Sequence, residues 1–277
     1  MDKVCVITGG GSGMGLATAK WMGKDHSIII SGRSVKKLEN AISLLQAEGI
    51  EAKAYACDVS NIDDVVCLAN FAKEKGKITA VIHAAGMSPH MGDARKIMEA
   101  NALGTININN AFYNVMEEGS CIIDVSSMSA YLTPKFIMPV GLYKYSIKDP
   151  ELFMKKIMRR VNLFPERFKS GVSYGISKNF VIWFAKQDAA RFGEKGIRVI
   201  SVSPGNFETP MGELEKEEAF EYTKHCAVKR SGHVDEIASL FAYLASETAG
   251  YLTGTDILCD GGLVASGINP LKILSKG

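Results

Sequence analysis

The chain has 277 residues, with 32 Lys or Arg against 30 Asp or Glu, for a net charge of +2. That balance excludes a protein built mainly to neutralise nucleic-acid phosphates, and 47% hydrophobic against 22% charged residues excludes a disordered chain. No apolar run reaches the roughly 18 residues of a membrane span, and the start MDKVCVIT lacks a signal-peptide layout, so a cytoplasmic location is expected.

Short apolar runs alternate with helical patterns along the chain. Strands are expected at 4–8, 27–31, 52–56, 79–83, 121–125, 198–202 and 256–258. Helices are expected over 14–23, 35–48, 61–75, 93–117, 173–192 and 234–246. Ser60, three residues before Asp63, is the expected cap of the third helix. Continuous apolar strands separated by helices imply an α/β fold, a doubly wound parallel sheet of the Rossmann type. No linker or repeat divides it, so 1–277 reads as one domain. Six cysteines lie scattered without a C-x-x-C pair, which points to reduced thiols. Five histidines lack ligand spacing, so no metal is expected.

The first strand runs into Thr8-Gly9-Gly10-Gly11-Ser12-Gly13-Met14-Gly15 and then a helix. Glycine is needed where a Cβ would block a pyrophosphate from the backbone N–H groups of a helix N-terminus. The spacing is G-x-x-x-G-x-G, from Gly9, Gly13 and Gly15.

These residues resemble the cofactor fingerprint of the short-chain dehydrogenase/reductase family. Further features fall in that family's order. Asp58-Val59 follows strand three, where the family's aspartate contacts the adenine. His83-Ala84-Ala85-Gly86 follows strand four, where the family usually has Asn-Asn-Ala-Gly, a replacement expected to loosen a support of the sheet. Tyr174-Gly175-Ile176-Ser177-Lys178 matches Y-x-x-S-K, Ser203-Pro204-Gly205 with Thr209 matches the segment over the nicotinamide, and Asp260-Gly261-Gly262 closes the pattern. The resemblance implies a dinucleotide held by Gly9, Ser12, Gly13, Met14, Gly15, Arg33, Asp58, Val59, Ala84, Ala85, Gly86, Tyr174, Lys178, Pro204, Gly205, Phe207 and Thr209. It implies catalysis by Asn101, Ser127, Tyr174 and Lys178. Tyr174 would exchange a proton with the substrate oxygen, and Ser127 would hydrogen-bond that oxygen. Lys178 would hold the nicotinamide ribose, and Asn101 would anchor a relay water.

The chemistry is consistent with these roles. Tyr174 and Lys178, four apart, share a helix face. A nearby ammonium favours the phenolate and brings a tyrosine toward working pH. Strand two ends Ile30-Ser31-Gly32-Arg33-Ser34 without a carboxylate, and a guanidinium pairs well with phosphate, so NADP is expected rather than NAD. Against this, Ser12 stands where NADP-dependent relatives often carry Arg or Lys.

Ser127 and Tyr174 are 47 residues apart, farther than in the family, so 132–170 reads as an insertion. Between 131 and 170 lie nine basic and three acidic residues. Asp149-Pro150 reads as a helix start. Phe153, Met154, Ile157, Met158 and Val161 then share one helix side, and Lys155, Lys156, Arg159 and Arg160 the other. The insertion is expected to be a substrate lid or an interface, with Phe153, Ile157 and Met158 over the substrate. Tyr131 and His90 are further candidates for the pocket wall.

The function expected from this resemblance is an NADP(H)-dependent oxidoreductase interconverting a secondary alcohol and a ketone. Its substrate would be bulky and apolar, of the steroid or bile-acid kind handled by hydroxysteroid dehydrogenases and carbonyl reductases. Alternatives are a reductase of 3-oxoacyl groups on a carrier protein or CoA, and a non-catalytic NADP-binding regulator. Helices 93–117 and 173–192 would pair with their copies in a homodimer or homotetramer.

Overall fold

The computed structural model describes residues 3–268. In chain order these form β1 (Lys3–Thr8), α1 (Gly13–Met22), β2 (Ser27–Gly32), α2 (Val35–Ala47), β3 (Ala52–Ala56), α3 (Ile62–Lys75) and β4 (Lys77–His83). Then follow α4 (Ala94–Met98), a π-helical turn (Glu99–Leu103), α5 (Gly104–Tyr113), β5 (Cys121–Val125), α6 (Ser129–Leu132), α7 (Val140–Tyr143), α8 (Pro150–Val161) and α9 (Glu166–Gly193). The last elements are β6 (Arg198–Pro204), α10 (Lys216–Thr223), α11 (Val234–Ala245) and β7 (Asp256–Cys259).

The strands form one sheet in the order β3-β2-β1-β4-β5-β6-β7, every neighbouring pair parallel. Period-two alternation divides each central strand between two cores. Cys5 and Ile7 of β1 face one side with α1, α2 and α11, while Val4 and Val6 face the other with α3, α5 and α9. The chain winds outward from β1 to β2 and β3, then crosses back to β4. A crevice therefore opens at the carboxyl ends of β1 and β4, where such sheets bind ligands.

Three local features differ from the sequence expectations. The cap of α3 is Asn61, whose side chain accepts from the Asp63 N–H, while Ser60 donates its hydroxyl to Asp58. The helix expected over 93–117 is interrupted by the π-turn, in which Asn101 directs its side chain to the Met87 main chain. The helix carrying Tyr174 starts at Glu166, because Pro165, with its fixed φ, stands at the N-cap. The expected loss of sheet support at His83 does not occur. His83 Nδ1 and the Thr8 hydroxyl share a 2.8 Å hydrogen bond that ties β4 to β1.

The insertion forms a third core on the outer side of α5 and α9. Phe153, Met154, Ile157 and Val161 of α8, with Tyr143 of α7, pack on Met98, Ile106, Ile176, Phe180 and Phe184. The rings of Phe153 and Phe180 lie 4.7 Å apart, and Tyr143 meets Phe180 edge-on at 5.4 Å. Asp149 caps α8 by accepting from the Leu152 N–H at 2.8 Å. As a result α9 has no exposed residue from Ser173 to Ala185. One of its faces lies on the sheet and the other lies under the insertion.

Candidate active site

The glycine turn is shaped by close approaches. Gly9 adopts φ 70°, and a Cβ there would sit 2.8 Å from the Ala84 carbonyl oxygen. A Cβ on Gly15 would sit 2.5 Å from the Gly9 carbonyl oxygen, so α1 can lie against the turn only with glycine at that position. Ser12, extended at φ −169°, starts α1 without a side-chain cap, so the first-turn N–H groups are left to a ligand. A cleft runs from this turn along the ends of β1 to β4. It brings together Gly9, Ser12, Gly13, Met14, Gly15, Arg33, Asp58, Val59, Ala84, Ala85, Gly86 and Thr209. Asp58 is oriented by its own neighbours: Oδ1 accepts from the Ser60 N–H at 3.0 Å and the Ser60 hydroxyl at 2.7 Å. At the end of β2 stand Gly32 and Arg33, followed by the N-terminus of α2, which has no acidic residue in its first turn. The glycine cradle, the aspartate and the cationic end of β2 suit an adenine dinucleotide.

A second cleft, of about 390 Å³, adjoins the first through Met14 and Thr209. It is lined by Ser127 and Tyr174 together with Pro204, Gly205 and Phe207. Ser127 leaves β5 with its Oγ accepting from the Ser129 N–H at 3.2 Å, so its own O–H remains to donate. Lys178 lies one turn after Tyr174 on α9, its Nζ 5.8 Å from the Tyr174 ring centroid. Its ammonium donates to the Val125 carbonyl at 2.9 Å. Burial lowers Lys178 to about 8, and the opposing influence of Asp124 only partly offsets that. Ser126 fixes the same stretch of α9 by donating to the Lys178 carbonyl at 2.7 Å.

Asn101 is buried and fully engaged. Its Oδ1 accepts from the Met87 N–H at 2.7 Å, and its Nδ2 donates to the Met87 carbonyl at 3.0 Å and to Ser177 Oγ at 3.1 Å. A Cβ on Gly86 would meet both Asn101 Oδ1, at 3.0 Å, and Lys178 Nζ, at 3.4 Å, so the two expected residues converge beneath Gly86. Beneath Lys178, Asn109 Nδ2 donates to Asp124 and to Asp188, each at 3.0 Å. Burial raises the Asp124 carboxyl far above the usual carboxylate range, to about 8. Burial and the Lys178 charge push His83 down to about 3, so it is neutral.

Some expected residues lie elsewhere. His90 lines neither cleft. Tyr131 points away and donates its hydroxyl to Asp256 Oδ2 at 2.6 Å. No residue from Leu132 to Ser170 is among those lining the second cleft, and Phe153 and Ile157 are fully buried in the third core. The expectation that they cover a substrate is therefore corrected: their apolar side seals onto α5 and α9. The wall that sequence reasoning missed is Asn206, Glu208, Met211, Glu213 and Phe220. Its only signal is the acid-rich run after Gly205.

A glycine-cradled dinucleotide cleft opening onto a tyrosine–lysine pair defines an NAD(P)-dependent oxidoreductase. A family model described as "short chain dehydrogenase" matches residues 3–140, and one described as "Enoyl-(Acyl carrier protein) reductase" matches 166–264. Residues 141–165, within the insertion, fall between the two. A sorbose reductase of Schizosaccharomyces pombe is 30% identical over 94% of this chain and 95% of its own. A 3-oxoacyl-[acyl-carrier-protein] reductase of Thermotoga maritima is 29% identical over 95% of this chain and 98% of its own. Among solved structures, a Burkholderia cenocepacia short chain dehydrogenase in complex with NADP is 22% identical. It superposes with a TM-score of 0.75 over 94% of this chain and 97% of that one. The chain belongs to the short-chain dehydrogenase/reductase family.

Proposed function

We propose that this protein is an NADP(H)-dependent oxidoreductase that interconverts a secondary alcohol and a ketone. The observation that carries the reading is the convergence of Tyr174 and Ser127 on one cleft, with the Lys178 ammonium buried one helical turn behind the tyrosine. Gly205 and Thr209, which line the cleft, would hold a nicotinamide, which when bound would supply or accept the hydride. Tyr174 exchanges the proton with the substrate oxygen. Ser127 donates its free O–H to that oxygen. Lys178 favours the tyrosinate and holds the ribose. Asn101, fixed at its side chain by Met87 and Ser177, offers its carbonyl to a relay water; that carbonyl also accepts from the Thr105 hydroxyl at 2.7 Å.

Arg33 and the α2 N-terminus, whose first turn holds no acidic residue, support NADP over NAD. The intact Ser127–Tyr174–Lys178 set speaks against a non-catalytic regulator. The steroid-like substrate rests on the resemblance of the insertion to that of hydroxysteroid dehydrogenases and carbonyl reductases; the apolar lid no longer adds to it, because Phe153 and Ile157 lie in the domain's own core. The same burial bears on the assembly reading: the central parts of α5 and α9 are already covered, so the expected homodimer or homotetramer would have to form on other faces.

The test is NADPH oxidation against a panel of ketones, with Tyr174→Phe as the control variant. It keeps the ring and removes the hydroxyl, so NADPH binding should persist while kcat falls on the order of 10²–10⁴-fold. Retention of most of the kcat would remove Tyr174 from the proton-transfer role.

A further inference from the structure

The wall of the substrate cleft facing Tyr174 is acidic and rich in acceptors. Glu208 and Glu213 both line it, and among the described residues no Lys or Arg does. Glu208 Oε2 lies 2.8 Å from His233 Nδ1, and the nearby Arg230 guanidinium, which also feels the Glu208 charge, is itself paired with Glu236 at 2.7 Å. Asn206 spends its Nδ2 on the Ala219 carbonyl at 3.3 Å, which leaves its Oδ1 as an acceptor. The chain that builds this wall, residues 208–221, carries six Glu against one Lys. None of the basic residues of the insertion lines the cleft.

Carboxylates accept hydrogen bonds and repel anions, and a cleft lined by one sign of charge concentrates that field on whatever enters. From this we propose that the substrate is a carbonyl compound without carboxylate, phosphate or sulfate, carrying hydrogen-bond donors — hydroxyl groups above all — placed to meet Glu208, Glu213 and Asn206. The cleft thereby selects against keto acids, conjugated bile acids and acyl chains on phosphopantetheine. This inference rests on the oxidoreductase reading of the same site and narrows its substrate class.

The test compares acetopropanol, a hydroxyketone, with levulinate, a keto acid of equal carbon count. Binding to the NADPH-loaded enzyme is read from the change in NADPH fluorescence, and turnover from NADPH oxidation. At low ionic strength acetopropanol should bind at least about tenfold more tightly, and the gap should narrow in about 0.5 M salt, where screening is strong. The double variant Glu208→Gln/Glu213→Gln should narrow the gap several-fold by improving levulinate. Equal or tighter binding of levulinate, or a gap that ignores both salt and the double variant, would overturn the charge selection. Binding with the expected preference but no turnover of either ketone would leave the charge selection standing and count against the oxidoreductase reading alone.

Discussion

We assign cofactor choice to Arg33. It lies in the dinucleotide cleft at the end of β2, after Gly32, where a carboxylate would repel a 2′-phosphate. A guanidinium–phosphate pair is a charge-assisted bond worth about 1.5–3 kcal/mol. Arg33→Ala should therefore raise the Kd of NADPH by roughly 10- to 150-fold and leave NADH nearly unchanged. Fluorescence titration with both cofactors checks this, and parallel losses would assign Arg33 to the adenine or to the fold instead. At the same scale, the candidate positions are legible because each role calls for one residue type: a phenol, an ammonium four residues on, and glycine where a Cβ collides with backbone. His83 was misjudged because motif matching registers the missing asparagines, whereas the sheet needs only a polar group able to reach Thr8.

At the scale of elements, α8 decides what the insertion does. Its amphipathic pattern was legible, and so was its Asp149-Pro150 start. What its apolar side covers was not, because periodicity says that a face is buried and never against what. Phe153 is wholly buried and packs on Phe180, the residue two positions after Lys178. Deleting a buried aromatic ring in such a setting costs about 3–5 kcal/mol. Phe153→Ala should lower stability by that amount in urea denaturation. Where the variant remains folded, the KM of a small ketone should stay within a few-fold of the parent, since no part of α8 lines the cleft. A selective rise in KM without loss of stability would restore the lid. The acidic wall at 208–221 escaped notice for a related reason. Composition shows the charge run, but only the fold brings residues beyond β6 opposite Tyr174.

Over the whole molecule, the near-zero net charge conceals two opposite fields. The insertion segment 131–170 carries nine basic and three acidic residues, while 208–221 carries six acidic and one basic. The first packs outside α5 and α9, and of the second Glu208 and Glu213 line the cleft that holds Ser127 and Tyr174. The assembly prediction also belongs here. With α9 covered from Ser173 to Ala185 by its own chain, charged substitutions on the exposed ends of α9, such as Lys186→Glu, should leave the mass reported by light scattering at micromolar concentration unchanged. A stable dimer would require an interface away from α5 and α9.

The burial of Phe180 and Phe184 under α8 also bears on how such a chain can change over evolutionary time. Without the insertion, those rings would become a bare apolar strip on the helix that carries Tyr174 and Lys178, inviting self-association or aggregation. The insertion therefore cannot be trimmed back in small neutral steps. A lineage that lost it would need, in the same interval, either polar replacements along α9 or a second subunit to take its place. A segment that adds no chemistry to the cleft is thus held in the gene by the surface it conceals.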